Sequence, residues 1–194
     1  MLLLLYIIIT KIKYFIDIPY YSQKDFTVFL CLISNILYTA DIISIDQGGD
    51  TILNPIDLLQ TDNRGIDVFH CFRVAELAFK LCSQLEISNE EKEEIVLSAA
   101  MHDIGKSKID ISILNKPGKL NNKEWNEIKL HPKYGAAIAL MMGYSVNISQ
   151  NILYHHENSD GTGYSKGLRD ENIPLGAAII RICDSYDAMR NKTI

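Results

Sequence analysis

At 194 residues the chain has room for one sizeable core and little else. Hydrophobic residues make up 47% and charged residues 22%, a balance that excludes a disordered or low-complexity chain. A net charge of -5 excludes wrapping of DNA or RNA, which takes a basic face, so an anionic substrate has to be held locally by metals and a few cations.

The chain opens on an almost continuous apolar run over residues 1–9, broken by Lys11 and Lys13 before the roughly 20 residues that span a bilayer. It lacks the leading positive charges and small-residue cleavage site of a signal peptide. Met1 to Ile18 reads equally as a buried strand, an interfacial helix or a dimerisation segment. A second apolar stretch, Phe26 to Tyr38, contains Ser34 and Asn35 and reads as a packing helix. Gly48, Gly49, Pro55, Asn63 and Gly65 mark a linker over 46–65. Cys31, Cys71, Cys82 and Cys183 show no CxxC spacing and read as buried thiols in a reducing cytoplasm.

From Asp67, a plausible cap, apolar residues from Val68 and Phe69 through Val74, Leu77 and Leu81 to Leu85 recur at helical spacing, with His70 near the start. Ser88 and Glu91 form a capping-box pattern before a second helix, which carries Ile95, Val96, Ala99 and Ala100 inward and delivers His102 and Asp103 at its end. Gly105 then allows a turn. Pro117-Gly118 is a turn, and Asn121 with Glu124 opens a helix running through Trp125 and Ile128 to His131. Pro132 suits the first turn of the next helix, which ends at Gly143. A helix from Ile148 to Glu157 presents His155 and His156, splayed by about 100° as neighbours on a 3.6-residue turn are. Gly161, Gly163 and Gly167 sit in a loop over 158–167, where backbone approaches a ligand closely, with Asp160 and Tyr164 as its functional-looking members. Pro174 starts a last helix whose Ala177, Ala178, Ile179 and Ile182 pack inward while Arg181, Asp184 and Asp187 punctuate it.

The stretch Met101-His102-Asp103-Ile104-Gly105-Lys106 places a nitrogen ligand, an oxygen ligand and a cation in succession. Neutral imidazole beside a carboxylate that offsets charge and bridges ions suits divalent transition metals. A lone histidine on an apolar face is more often a core residue. Here all five histidines, His70, His102, His131, His155 and His156, fall in recognisable local contexts. Lys106, four residues after His102, points toward whatever those ligands hold.

His70 with Arg73 and Val74, HDIGK at 102–106, Asn115 to Leu120, His131-Pro132, His155-His156-Glu157, Asp160 to Tyr164 and Asp184 together resemble the HD-GYP subgroup of the HD-domain phosphohydrolases, the class II cyclic di-GMP phosphodiesterases. The naming motif departs from Gly-Tyr-Pro, reading Gly163-Tyr164-Ser165. The resemblance implies an all-α HD-domain helical bundle over 57–194 with a short apolar extension and linker over 1–56. The family pattern continues into a further helix beyond Ile194, so the domain is expected to be truncated there.

The resemblance further implies metal ligation by His70, His102, Asp103, His131, His155, His156 and Asp184. Five imidazoles and two carboxylates suit two ions, iron or manganese first and zinc, nickel or cobalt after them, sharing Asp103 and a hydroxide. Ile66 stands where some members carry a glutamate that supports a third metal. The implied reaction is hydrolysis of cyclic di-GMP to pGpG and onward to GMP, with Asp103 and Lys106 catalytic. Lys106 and Arg181 would hold phosphate, and Asp160, Gly163 and Tyr164 would shape the guanine side. Ser165 leaves the loop less rigid than proline would. A hydrolase for another nucleotide and a non-catalytic nucleotide- or cyclase-binding signalling module are the competing readings. Expected partners are the cyclic dinucleotide, a diguanylate cyclase and a second copy joined through the N-terminal segment. The expected location is cytoplasmic, with membrane association through that segment.

Overall fold

The computed structural model describes residues 66–191. The expectations for Met1 to Ile18, Phe26 to Tyr38, the 46–65 linker and Cys31 lie outside these residues, as do those for dimerisation and membrane association through the N-terminal segment. The described residues form α1 (Val68–Cys82), α2 (Asn89–Met101), α3 (Ile111–Leu114), α4 (Asn122–Ile128), α5 (His131–Met141), α6 (Val146–Tyr154) and α7 (Leu175–Asn191), with 3-10 turns at Ile104–Lys108 and Asp170–Asn172 and no strand. None of these helices is long and apolar enough to cross a membrane.

Helix α2 is the central element. Ile95, Val96, Leu97, Ser98 and Ala99 are buried consecutively, which a helix with one apolar stripe cannot achieve, so α2 packs on two sides. On one side Ile95, Val96 and Ala99 meet Val74, Ala75, Ala78 and Cys82 of α1 and Ile179, Ile180 and Cys183 of α7. On the other, Leu97 and Met101 meet Ala139 of α5 and Ile148 and Ile152 of α6. Each fully buried isoleucine contributes about 1.5–3 kcal/mol of transfer free energy. The consequence is positional: the end of α2 is clamped between two apolar clusters.

Helix starts follow the capping expectations with one difference. The Asp67 side chain accepts the His70 amide at 3.0 Å, and Asn121 with Glu124 forms a complete capping box. At α2 only the Ser88 half forms, accepting from the Glu91 amide at 3.1 Å. Three apolar assignments are corrected. Ile182 is 61% exposed, because Ile180, Cys183 and Asp187 set the inward face of α7 and Ile182 lies well off it. Phe69 and Leu85 are also exposed, Leu85 because α1 has already ended at Cys82.

Gly105 has a different reason from the one its sequence position suggests. A Cβ there would lie 1.9 Å from the His131 carbonyl oxygen and 2.5 Å from the Gly135 nitrogen. The glycine lets the turn after α2 press onto α5, which brings His131 beside Asp103.

Candidate metal centre

Three histidines are aimed by the same device. The Nδ1 of His102 bonds the Ala99 carbonyl at 2.7 Å, that of His131 bonds Ile128 at 2.8 Å and that of His155 bonds Ile152 at 2.7 Å. Each bond reaches back three residues to a carbonyl at the end of a helix, where orphan acceptors are available. With Nδ1 donating, Nε2 becomes the free donor atom and its direction is set.

Those atoms converge. Nitrogens of His131, His155 and His156 form one group and donor atoms of His70, His102 and Asp184 a second, each within 4.8 Å. Asp103 joins them: Oδ1 lies 3.5 Å from His131 Nε2 and Oδ2 lies 3.5 Å from His102 Nε2. All seven expected ligands therefore meet in one largely buried region, drawn from the start of α1, the end of α2 and the turn after it, the start of α5, the end of α6 and the middle of α7.

Two observations show that this donor set fits cations. His102 Nε2 is fully buried without a hydrogen-bond partner, and such orphans are costly. His131 Nε2 faces His155 Nε2 at 3.4 Å, two lone pairs directed at each other. Burial holds His131 down to about 4, and it lowers His155 and His156 as well, aided by neighbouring imidazoles. These rings stay neutral at pH 7 and keep the lone pairs that ligation needs. Burial opposes ionisation of Asp103, but Lys106, His102 and His131 hold its carboxyl well below the usual range.

The splay expected for His155 and His156 is corrected. Helix α6 ends at Tyr154, so the two histidines sit in its terminal turn, and their ring centroids lie 4.0 Å apart. They serve the same group rather than separate ones.

His70 is set from behind by residues the sequence reading gave no role. Its Nδ1 lies 2.8 Å from Asp187 Oδ2, leaving Nε2 toward Asp184 Oδ1 at 3.1 Å. Asp187 is itself fixed by Arg73 Nε and an Arg73 terminal nitrogen at 2.8 and 2.9 Å. The i, i+3 spacing of Asp184 and Asp187, matching His70 and Arg73, was the available signal. Cys71 lies within ligand range of His102 and Asp103, but burial and the Asp103 charge push its thiol up, so it remains protonated.

The remaining expected site residues divide. Lys106 Nζ donates to Asp103 Oδ2 at 2.7 Å and lies at the edge of the cluster. Tyr164 stacks on His156 at 4.6 Å and 23°. Asp160 is exposed and accepts from the amide and hydroxyl of Thr162, so its side chain closes a local turn of the loop. Arg181 Nε donates to Asn158 Oδ1 at 3.1 Å, supporting the start of the same loop. Gly163 packs on Glu157 Cα, where a Cβ would sit at 2.4 Å. Glu157, another residue without an assigned role, is buried and accepts the amides of Lys166, Gly167 and Leu168 at 2.6, 3.0 and 3.1 Å. Ser165 has φ 114°, which proline cannot adopt. The loop is thus tied down by Glu157, correcting the expectation that losing proline simply loosens it.

A helical bundle carrying a buried histidine and carboxylate cluster at its centre is the architecture of a metal-binding all-α domain. The chain belongs to the HD-domain family, whose model matches residues 54–194, and its motifs and relatives set it in the HD-GYP subgroup. It is 40% identical over 121 residues to the cyclic di-GMP phosphodiesterase PA4108 of Pseudomonas aeruginosa, covering 62% of this chain and 29% of that one. It is equally identical over 121 residues to the cyclic di-GMP phosphodiesterase response regulator RpfG of Xanthomonas campestris, covering 60% and 32%. The chain thus spans under a third of these relatives. A crystal structure of a cyclic GMP-AMP specific phosphodiesterase of Vibrio cholerae (V-cGAP3) superposes with a TM-score of 0.57 at 19% identity, over 83% of this chain and 41% of that one.

Proposed function

We propose that this chain is a metal-dependent phosphodiesterase that hydrolyses cyclic di-GMP to pGpG and onward to GMP at the Asp103 cluster. The observation that carries the reading is the carboxylate of Asp103, one oxygen toward each of two three-residue ligand groups. Two divalent ions, iron or manganese by the mixed nitrogen and oxygen donors, fit that arrangement. When bound they supply Lewis acidity toward phosphoryl oxygens and lower the pKa of water.

The protein's own groups do the rest. His131, His155 and His156 stay neutral and keep their lone pairs for ligation, and Asp103 stays anionic between the two groups. Burial opposes protonation of Lys106, but Asp103 raises its pKa overall, so the ammonium stays charged and is placed to take a phosphoryl oxygen. Burial and nearby carboxylates keep Tyr164 protonated, so its hydroxyl can donate. Ile66 offers buried hydrocarbon and no third-site ligand.

Iron- or manganese-loaded protein, handled anaerobically, is expected to convert cyclic di-GMP to linear product on chromatography, while His102→Ala and Asp103→Ala are not. Binding without product would make the chain a signalling module instead. Metal analysis returning three ions per chain would contradict the two-ion reading. A 3'3'-cGAMP preference is the second reading, favoured by a Vibrio cholerae relative named 3'3'-cGAMP-specific phosphodiesterase 3 at 35% identity. Equimolar competition between the two cyclic dinucleotides decides it. A diguanylate cyclase partner, a homodimer through residues 1–56 and a cytoplasmic or membrane-associated location complete the reading. Size-exclusion with and without a cyclase, and membrane pelleting, test them.

A further inference from the structure

We infer that Trp125 forms a nucleobase subsite at the mouth of the cluster, stacking one purine of the substrate; this rests on the phosphodiesterase reading and adds a residue that sets its affinity. A ladder of rings leads out from the ligands. His131 and His156 lie 5.1 Å apart, His156 stacks on Tyr164 at 4.6 Å, and Tyr164 meets Trp125 at 6.4 Å and 71°. The first rungs are ligands and the last is 45% exposed.

Packing does not account for that placement. Helix α4 contributes no buried residue, so Trp125 is not its anchor to the core. The helix start is ordered by its own capping box and by Lys116 Nζ on Glu124 at 2.7 Å, and its half-buried end runs straight into α5. An indole is thereby fixed, half in solvent, at the outer end of an aromatic path. Lys129 Nζ lies 5.6 Å from its ring centroid and has no carboxylate partner among the described residues, so the same edge is cationic.

A dinucleotide phosphate held at the cluster must send its bases outward, and Tyr164 and Trp125 meet there nearly edge to face. A flat heteroaromatic placed in that corner gains an indole face and a phenol edge, the contact by which proteins hold bases without pairing them. Guanine and adenine both have such a face, so the subsite takes purines as a class.

The chain has one tryptophan, which makes the test direct. Cyclic di-GMP is expected to quench the fluorescence of manganese-loaded wild-type protein saturably, whereas ribose 5-phosphate, which lacks the base, is not. Trp125→Ala is expected to raise KM about tenfold with a smaller effect on kcat, and Trp125→Phe to restore it. Metal content and helical circular dichroism should match wild type in both variants. Absent quenching, or a Trp125→Ala defect confined to kcat or not rescued by phenylalanine, overturns the subsite. Quenching without hydrolysis by wild-type protein would instead reject the enzymatic reading and leave the subsite standing.

Discussion

His70 shows how a single side chain is held by charge on both sides. Burial disfavours its protonation, yet Asp184 and Asp187 outweigh that and raise its pKa. Asp187 is shifted the other way: burial opposes its ionisation, while Arg73 and His70 lower it. A lowered carboxyl contributes stability that is present above its unfolded pKa and lost as pH falls through the folded one. A raised imidazole contributes stability that is present below its unfolded value and lost as pH rises through the folded one. Metal-free Asp187→Asn should therefore lose the acid slope and keep only part of the alkaline one, since Asp184 still faces His70, giving a urea midpoint flatter than wild type below about pH 4 and somewhat flatter above about pH 6.5. Identical pH profiles would show that the contact carries no linkage. Gly105 is the second residue-scale case, since the atoms its Cβ would meet are backbone and cannot rotate away. Gly105→Ala is expected to cost about 3 kcal/mol or more in urea unfolding and to lower metal stoichiometry.

The loop over 158–168 behaves as one element because a buried carboxylate organises it. Three amides converge on Glu157, and hydrogen bonds to a charged group contribute about 1.5–3 kcal/mol each. Glu157→Gln turns one acceptor into a donor facing amides. The expected result is a raised KM with metal content unchanged, because Glu157 touches no ligand atom. Ser165 tests the same element from the backbone side. Its φ of 114° costs a non-glycine residue about 1–3 kcal/mol. Ser165→Gly should raise the melting temperature, whereas Ser165→Pro, although it completes the Gly-Tyr-Pro motif, should lower it. Equal melting temperatures for the two variants would mean the loop adopts another conformation.

At the scale of the whole molecule, the ligand cluster ties α1, α2, α5, α6 and α7 together where the apolar clusters leave polar atoms unpaired. Ions bound there would stabilise the folded state by mass action, about 4 kcal/mol at a thousandfold excess over Kd. Adding a chelator to loaded protein should lower the unfolding midpoint, and His102→Ala should abolish the difference between loaded and chelated samples. A chelator-insensitive midpoint in wild type would separate the cluster from the stability of the bundle.

The order of motifs in the chain was enough to name the helical class, the family and the six side chains that gather around Asp103. Those features are local: caps, apolar spacing and ligand types are written in neighbouring residues. What the tertiary structure alone decided is which atoms face each other. The chain order of His155 and His156 predicts divergence on a helix, but the helix ends before them. Asp187, Arg73 and Glu157 look like surface charges until α7 meets α1 and the loop folds back on the end of α6. Gly105 looks like a turn residue until α5 lies against it. In each case the deciding contact is between residues distant in sequence, or depends on where a helix stops; the matching i, i+3 spacing of His70 with Arg73 and of Asp184 with Asp187 marks two faces, and only the tertiary structure brings them together.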